Sequence, residues 1–257
     1  MTLVSVFRVD ELDVHELATQ HGLAEAAAID AAEAIRLADQ RHGRANVMFA
    51  SGNSQLEFLA ALTGRSDVPW DRVTGFHMDE YVGMNHTHPA SFARYMRERI
   101  VDVVRLNAFH YVDGTNDAAA ECARYSKLLH ENPLDVCCLG VGENGHLAFN
   151  DPPFADFDDA QDVKEVELDE ASRRQQVGEG HFASLDDVPR TAITVTIPAL
   201  LRATRVLAIV PDARKADAVR RALEEPVATS CPASILRRTP QATLYLEHGS
   251  AANMSNT

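Results

Sequence analysis

His146 stands in a glycine-rich run, Leu139-Gly140-Val141-Gly142-Glu143-Asn144-Gly145-His146-Leu147-Ala148-Phe149-Asn150-Asp151. A neutral imidazole held by an amide or a carboxylate can shuttle a proton near neutral pH, and glycines permit close approach and unusual backbone angles. The same run also fits a structural histidine in a loop. A second candidate is Asp79-Glu80, inside Gly75-Phe76-His77-Met78-Asp79-Glu80-Tyr81-Val82. An Asp there can abstract a proton beside a carbonyl if its pKa is suitably placed; otherwise the pair reads as capping or salt-bridged acids. Two further runs can hold an anion. Ala50-Ser51-Gly52-Asn53-Ser54 joins an apolar run to a helical one, where a helix N-terminus contributes roughly half a positive charge and Ser51 and Ser54 offer hydroxyls. It is equally a plain turn with a Ser or Asn cap. Val210-Pro211-Asp212-Ala213-Arg214-Lys215 puts Lys215 within reach of a phosphate, or leaves it an ordinary surface cation. Taken together, the four runs point to proton transfer on a phosphorylated substrate.

These residues need a frame. Short β-branched or apolar runs predict strands at Asn46–Ala50, Arg72–His77, Phe109–Val112, Asp135–Val141, Ala192–Val195 and Arg205–Val210. Between them, helical periodicity predicts Gly22–Arg41, Gln55–Leu62, Ser91–Val104, Ala118–Leu129 and Ala213–Glu224. Such alternation implies an α/β fold: a doubly wound, mostly parallel, Rossmann-like sheet with helices on both faces. Ligands of such sheets bind beyond the carboxyl ends of the strands, which is where the four runs fall. Phe154–Asp162 (FADFDDAQD) reads as a solvated acidic loop, and the small polar residues from about His248 to Thr257 as a disordered tail.

The chain has 257 residues and reads as one domain over 1–257. Its 38 acidic and 24 basic residues give a formal charge of −14. That argues against nucleic acid or an anionic membrane as partner, since both require a positive field; a small anion needs only a few local donors. Cys122, Cys137, Cys138 and Cys231 form no metal-type pair, and Cys137-Cys138 lies in an apolar run as small core residues. With no signal peptide and no membrane-length apolar run, a reducing, cytoplasmic setting is expected.

Phe76-His77-Met78-Asp79-Glu80-Tyr81-Val82-Gly83, followed by His88-Pro89-Ala90-Ser91-Phe92, resembles the signature of glucosamine-6-phosphate deaminases. Gly142 to Pro152 resembles their His loop, Ser51-Gly52-Asn53-Ser54 their phosphate turn, and Val188-Pro189-Arg190-Thr191-Ala192-Ile193-Thr194 a further motif. Order and spacing match from about Asn46 to Leu246. The resemblance implies conversion of glucosamine 6-phosphate to fructose 6-phosphate and ammonia. It makes Asp79 the base that moves a proton between C2 and C1, and His146 the group that assists ring opening. Asn144 and Asp151 then hold His146, while Ser51, Gly52, Asn53, Ser54 and Lys215 bind phosphate. Glu80 and Gly145 are secondary substrate contacts. No metal or organic cofactor is implied. The family is often oligomeric, so a homo-oligomer is open, and no surface feature specifies a number.

Asp151 departs from the pattern: it stands where the family usually has Glu, and one methylene less implies contact with His146 through water or a shifted loop. Asn144 stands where some members have Asp. The Arg that the family places before an aromatic residue, upstream of Val188-Pro189, is missing from Gly178-Glu179-Gly180-His181-Phe182; Arg173, Arg174 or His181 is left to replace it. The basic residues that would bind N-acetylglucosamine 6-phosphate are not evident, so allosteric activation by that compound is not expected. Three alternatives share the fold: a 6-phosphogluconolactonase, a deaminase for another epimer such as galactosamine 6-phosphate, and a non-catalytic sugar-phosphate sensor.

Overall fold

The computed structural model describes residues 2–152 and 154–255. An antiparallel hairpin, β1 (Leu3–Val9) and β2 (Leu12–Leu17), opens the chain. Then come α1 (Gln20–His42), β3 (Ala45–Phe49), α2 (Leu56–Thr63), β4 (Val73–His77) and β5 (Asp79–Tyr81). The middle contains α3 (Phe92–Met96), β6 (Ala108–His110), α4 (Ala118–Glu131), β7 (Val136–Leu139), β8 (Val163–Glu167) and α5 (Glu170–Gly178). The last part holds β9 (Thr191–Val195), α6 (Ile197–Leu201), β10 (Arg205–Val210), α7 (Ala216–Glu224) and β11 (Ala242–Glu247).

The main sheet runs β1-β2-β11-β10-β7-β3-β4-β6, parallel except for β1–β2. Its inner strands β3, β7 and β10 are buried on both faces because helices cover both. Along β3, Val47 and Phe49 pack with α1 and α2 on one side. Met48 packs on the other, in the cluster that includes Tyr125 of α4 and Val219 of α7. Helix α1 lies close to the sheet because its buried face is mostly alanine: Ala24, Ala27, Ala28, Ala31 and Ala32. The Thr19 hydroxyl caps its start by accepting from the Gly22 N–H at 3.0 Å. From β3 the chain builds outward through β4 to β6, then returns to β7 on the other side of β3 and builds through β10 to β11. The β3/β7 boundary is therefore the switch point, and a crevice opens beyond the ends of these two strands.

Three expectations need correction. Ala192–Val195 is a strand, but in a separate antiparallel sheet ordered β5-β9-β8. Only Met78 separates β4 from β5, so no crossover helix intervenes and β5 leaves the parallel sheet. The helix expected over Ser91–Val104 is α-helical only from Phe92 to Met96 and widens into a π turn over Arg97–Val101. The tail expected to be disordered from His248 is ordered to Ser255: Gly249 and Ser250 donate backbone N–H groups to the Glu247 carboxylate at 2.6 and 2.9 Å, and Ser250 is buried. Asn256 and Thr257 lie outside the described residues. Strands β1, β2, β5, β8 and β11 and helices α5 and α6 add to the expected elements. The hairpin strands escape a search for apolar runs because charged Arg8, Asp13 and Glu16 interrupt them. Phe154–Asp162 is a turn-rich, largely solvent-facing loop, as expected.

Candidate active site

The crevice beyond β3 and β7 is lined by Ser51, Gly52 and Ser54, by Asp79, by Gly142 and His146, and by Lys215. Four separate stretches of chain thus meet in one cavity.

Asp79 reaches it from β5, where it pairs with Thr194 of β9. The loop of His146 is fastened to the same strand. Asn150 Nδ2 donates to the Val195 carbonyl at 2.9 Å and to the Leu147 carbonyl at 2.8 Å, and the Phe149 N–H donates to Thr194 Oγ1 at 3.1 Å. Strand β9 therefore sets the spacing between the two groups. An aromatic cluster locks the arrangement: Tyr81 packs against Phe92, Phe149 and Phe182 with ring centres 4.9, 5.5 and 5.5 Å apart. Burial, and then the neighbouring Glu80 carboxylate, push the Asp79 carboxyl up to about 8.

Behind His146 lies Asp151, fully buried. Its Oδ1 is 3.0 Å from His146 Nδ1. The same oxygen accepts from Asn144 Nδ2 at 3.0 Å and from the Ser172 hydroxyl, while the Asp169 N–H donates to Oδ2 at 3.3 Å. Burial raises the Asp151 carboxyl, but the bonds from His146, Ser172 and Asn144 outweigh it and hold it below the usual carboxylate range. The shorter acid therefore touches the imidazole directly, without the water or loop shift expected from sequence. Residues 147–150 form a tight turn, with a Leu147–Asn150 bridge and Ala148 at φ 50°, that brings Asp151 in close. Asn144 holds the loop rather than the ring: its Oδ1 accepts from the His146 backbone N–H at 2.9 Å. Nδ1 lies 3.0 Å from both Asp151 Oδ1 and Ser172 Oγ; since the Ser172 hydroxyl donates to Asp151, both neighbours are acceptors for a proton on Nδ1, which leaves Nε2 to the cavity.

The glycines have distinct jobs. A Cβ on Gly142 would lie 2.2–2.4 Å from the His146 ring, so Gly142→Ala must displace the imidazole. We expect activity to fall at least tenfold while the fold persists, checked by kinetics beside circular dichroism. Gly145 does not line the cavity, contrary to its expected role as a substrate contact. It turns the loop at φ 91°, and a Cβ there would meet Cys231 Sγ at 2.7 Å.

Other expected contacts also lie elsewhere. Glu80 is buried, but its carboxylate accepts from the Ser91 hydroxyl at 2.7 Å and the Ala93 N–H at 2.9 Å, capping α3 rather than facing the cavity. Asn53 donates from Nδ2 to the Glu179 carbonyl at 3.3 Å. Arg173 donates to the Val188 and Leu185 carbonyls, and Arg174 is exposed and paired with Glu170. His181 lies 3.4 Å from the Glu179 carboxylate. None of these three replaces the missing Arg in the cavity. Helix α5 and the residue after it contribute Gln175, Gln176 and Glu179 to the wall, and Ser172 behind it. Sequence reading missed them because α5 has no apolar stripe. The available signal was a polar one: Ser172, Gln175, Gln176 and Glu179 recur at i, i+3, i+4 and i+7.

Comparison with known proteins then places the chain. The family model for glucosamine-6-phosphate isomerases/6-phosphogluconolactonase matches residues 18–245. The chain belongs to this family. A glucosamine-6-phosphate deaminase of Lactobacillus delbrueckii subsp. bulgaricus is 32% identical over 211 residues, covering 82% of this chain and 88% of the relative. One from Exiguobacterium sibiricum is 36% identical over 185 residues, covering 72% and 71%. Among solved structures, a monomeric glucosamine-6-phosphate deaminase matches with a TM-score of 0.83 at 28% identity, over 93% of this chain and 99% of the other. A 6-phosphogluconolactonase from Shewanella baltica shares the fold, with a TM-score of 0.74 at 20% identity, over 94% and 99%. Against the expectations drawn from the sequence, Asp151 reaches His146 directly and Glu179 stands in the cavity wall.

Among the described residues, no helix is long and apolar enough to cross a membrane.

Proposed function

We propose that this chain is an amino-sugar-phosphate deaminase that converts glucosamine 6-phosphate and water to fructose 6-phosphate and ammonia. The observation that carries the reading is the convergence of Asp79, the His146–Asp151 pair and Lys215 on one cavity. His146 Nε2 takes the proton of the sugar's O1 hydroxyl and returns it to the ring oxygen as the C1–O5 bond breaks, giving the open-chain aldehyde. The carbonyl acidifies the C2 proton; Asp79 removes it while a proton passes from the C2 ammonium to O1, and redelivery of the C2 proton at C1 leaves an iminium at C2. Water adds to C2, the C–N bond breaks and ammonia leaves. Lys215, 3% exposed, and Ser51, Gly52 and Ser54 hold the phosphate. No step requires a cofactor. All of residues 1–257 are taken as one catalytic unit acting in the cytoplasm, a setting supported by the free, buried thiols of Cys137 and Cys138.

The test is ammonia release coupled to fructose 6-phosphate formation by purified protein, with galactosamine 6-phosphate and 6-phosphogluconolactone in parallel. Ammonia from glucosamine 6-phosphate is the expected result. Lactone hydrolysis without ammonia, or binding without turnover, overturns it.

A further inference from the structure

The end of the cavity that holds Lys215 also holds a carboxylate. Glu179 has a side chain only 6% exposed and lines the wall with Lys215, Ser51 and Ser54. It is fixed in place: Gln175 Nε2 donates to Oε1 at 2.8 Å, and His181 Nε2 lies 3.4 Å from Oε2. Its backbone carbonyl accepts from Asn53, which ties it to the serine turn. Burial raises the Glu179 carboxyl, but His181, Gln175 and Lys215 together hold it below the usual range, so it is ionised at neutral pH. The other ionisable groups that feel it are Arg214, which lies 3.7 Å from Glu143, and the buried hydroxyls of Tyr81 and Tyr95. The stretch in which the Arg was expected thus presents a carboxylate to the cavity.

An ionised carboxylate only accepts hydrogen bonds. An anion without a proton offers it lone pairs alone, and the two repel. A phosphate that retains one proton can instead donate P–OH to Glu179 while its other oxygens accept from Lys215 and the serine hydroxyls. The second pKa of a phosphate monoester is about 6, so retaining that proton near neutrality costs little. Sulfate and sulfate esters have no proton to offer.

We propose that Glu179 makes this end of the cavity a site for the singly protonated phosphate and a filter against sulfate. The proposal rests on the sugar-phosphate reading above and names the protonation state that the site selects.

Titration calorimetry on the intact protein, with the monoesters methyl phosphate and methyl sulfate as probes, tests it without relying on turnover; methyl phosphate loses its last proton at about pH 6 and methyl sulfate has none. At pH 6, methyl phosphate should bind about 10- to 100-fold more tightly than methyl sulfate, the range expected for a hydrogen bond to a charged group. Methyl phosphate affinity should fall as pH rises from 6 to 8. Glu179→Gln, which can donate, should bring the ratio close to one and flatten the pH dependence. Equal binding of the two anions by wild type, binding of neither, or an unchanged ratio in a folded Glu179→Gln protein overturns the proposal. If that variant fails to fold, the wild-type ratio decides alone. Phosphate selectivity without ammonia release would sink the deaminase reading and leave this one standing; ammonia release without selectivity would do the reverse.

Discussion

Replacing Asp79 by Asn is expected to abolish exchange of the substrate's C2 proton with solvent and to lower kcat/KM about 100- to 10,000-fold, the range for a positioned general base. Asn has nearly the same shape and cannot accept a proton from carbon. The pH profile gives a second readout. The free carboxyl lies at about 8 and must be ionised to act, so its ionisation should raise wild-type kcat/KM towards about pH 8, against the weakening of phosphate binding as the substrate's phosphate loses its last proton above about pH 6. The bound substrate carries an ammonium at C2, which favours the carboxylate, so the kcat profile should rise at lower pH than kcat/KM. Stability should move the other way. In the folded protein Asp79 keeps a proton that the unfolded chain loses near pH 4, so between about pH 4 and 8 the folded state loses stability as pH rises. Asp79→Asn removes that loss. It should therefore be more stable than wild type at pH 8, with the difference closing towards pH 4, measured by urea unfolding at both values. C2 exchange that survives in Asp79→Asn removes Asp79 as the base.

His146→Gln should cost a comparable factor on the cyclic substrate, about 100- to 10,000-fold, because an amide cannot carry a proton between O1 and the ring oxygen. The loss should be far smaller on an open-chain substrate analogue, which bypasses that step. Equal losses on both would mean that His146 acts after ring opening. The Asp151 carboxylate, held ionised by its buried hydrogen bonds, makes the choice of Gln important: an apolar residue at 146 would leave a buried charge with a missing partner, and instability would be mistaken for lost catalysis.

Much of this was legible in the chain. Parallel strands buried on both faces must be continuous apolar runs, so β3, β4, β7 and β10 could be found without coordinates, and with them the rule that their carboxyl ends carry the site. Asp79, His146, Ser51, Ser54 and Lys215 all follow such runs closely. Less regular elements were hidden for equally physical reasons. The β1–β2 hairpin interleaves apolar with charged residues, and α5 owes its place to hydrogen bonds made by Ser172, Arg173 and Gln175 and to Val177 packed on the Tyr81 cluster rather than to an apolar stripe. Glu80 looked like a partner of Asp79, but adjacent residues on a strand point to opposite faces, which turns one carboxylate into the cavity and the other onto the start of α3. Sequence by itself therefore determined the fold class, the set of loops that meet and the residue types able to move a proton. Only the tertiary structure decided that Asp151 touches His146 directly, that Arg173, Arg174 and His181 stay out of the cavity, and that Glu179 enters it. Those outcomes depend on how a tight turn and a polar helix pack across the crevice, and no local pattern encodes distances between segments so far apart in the chain.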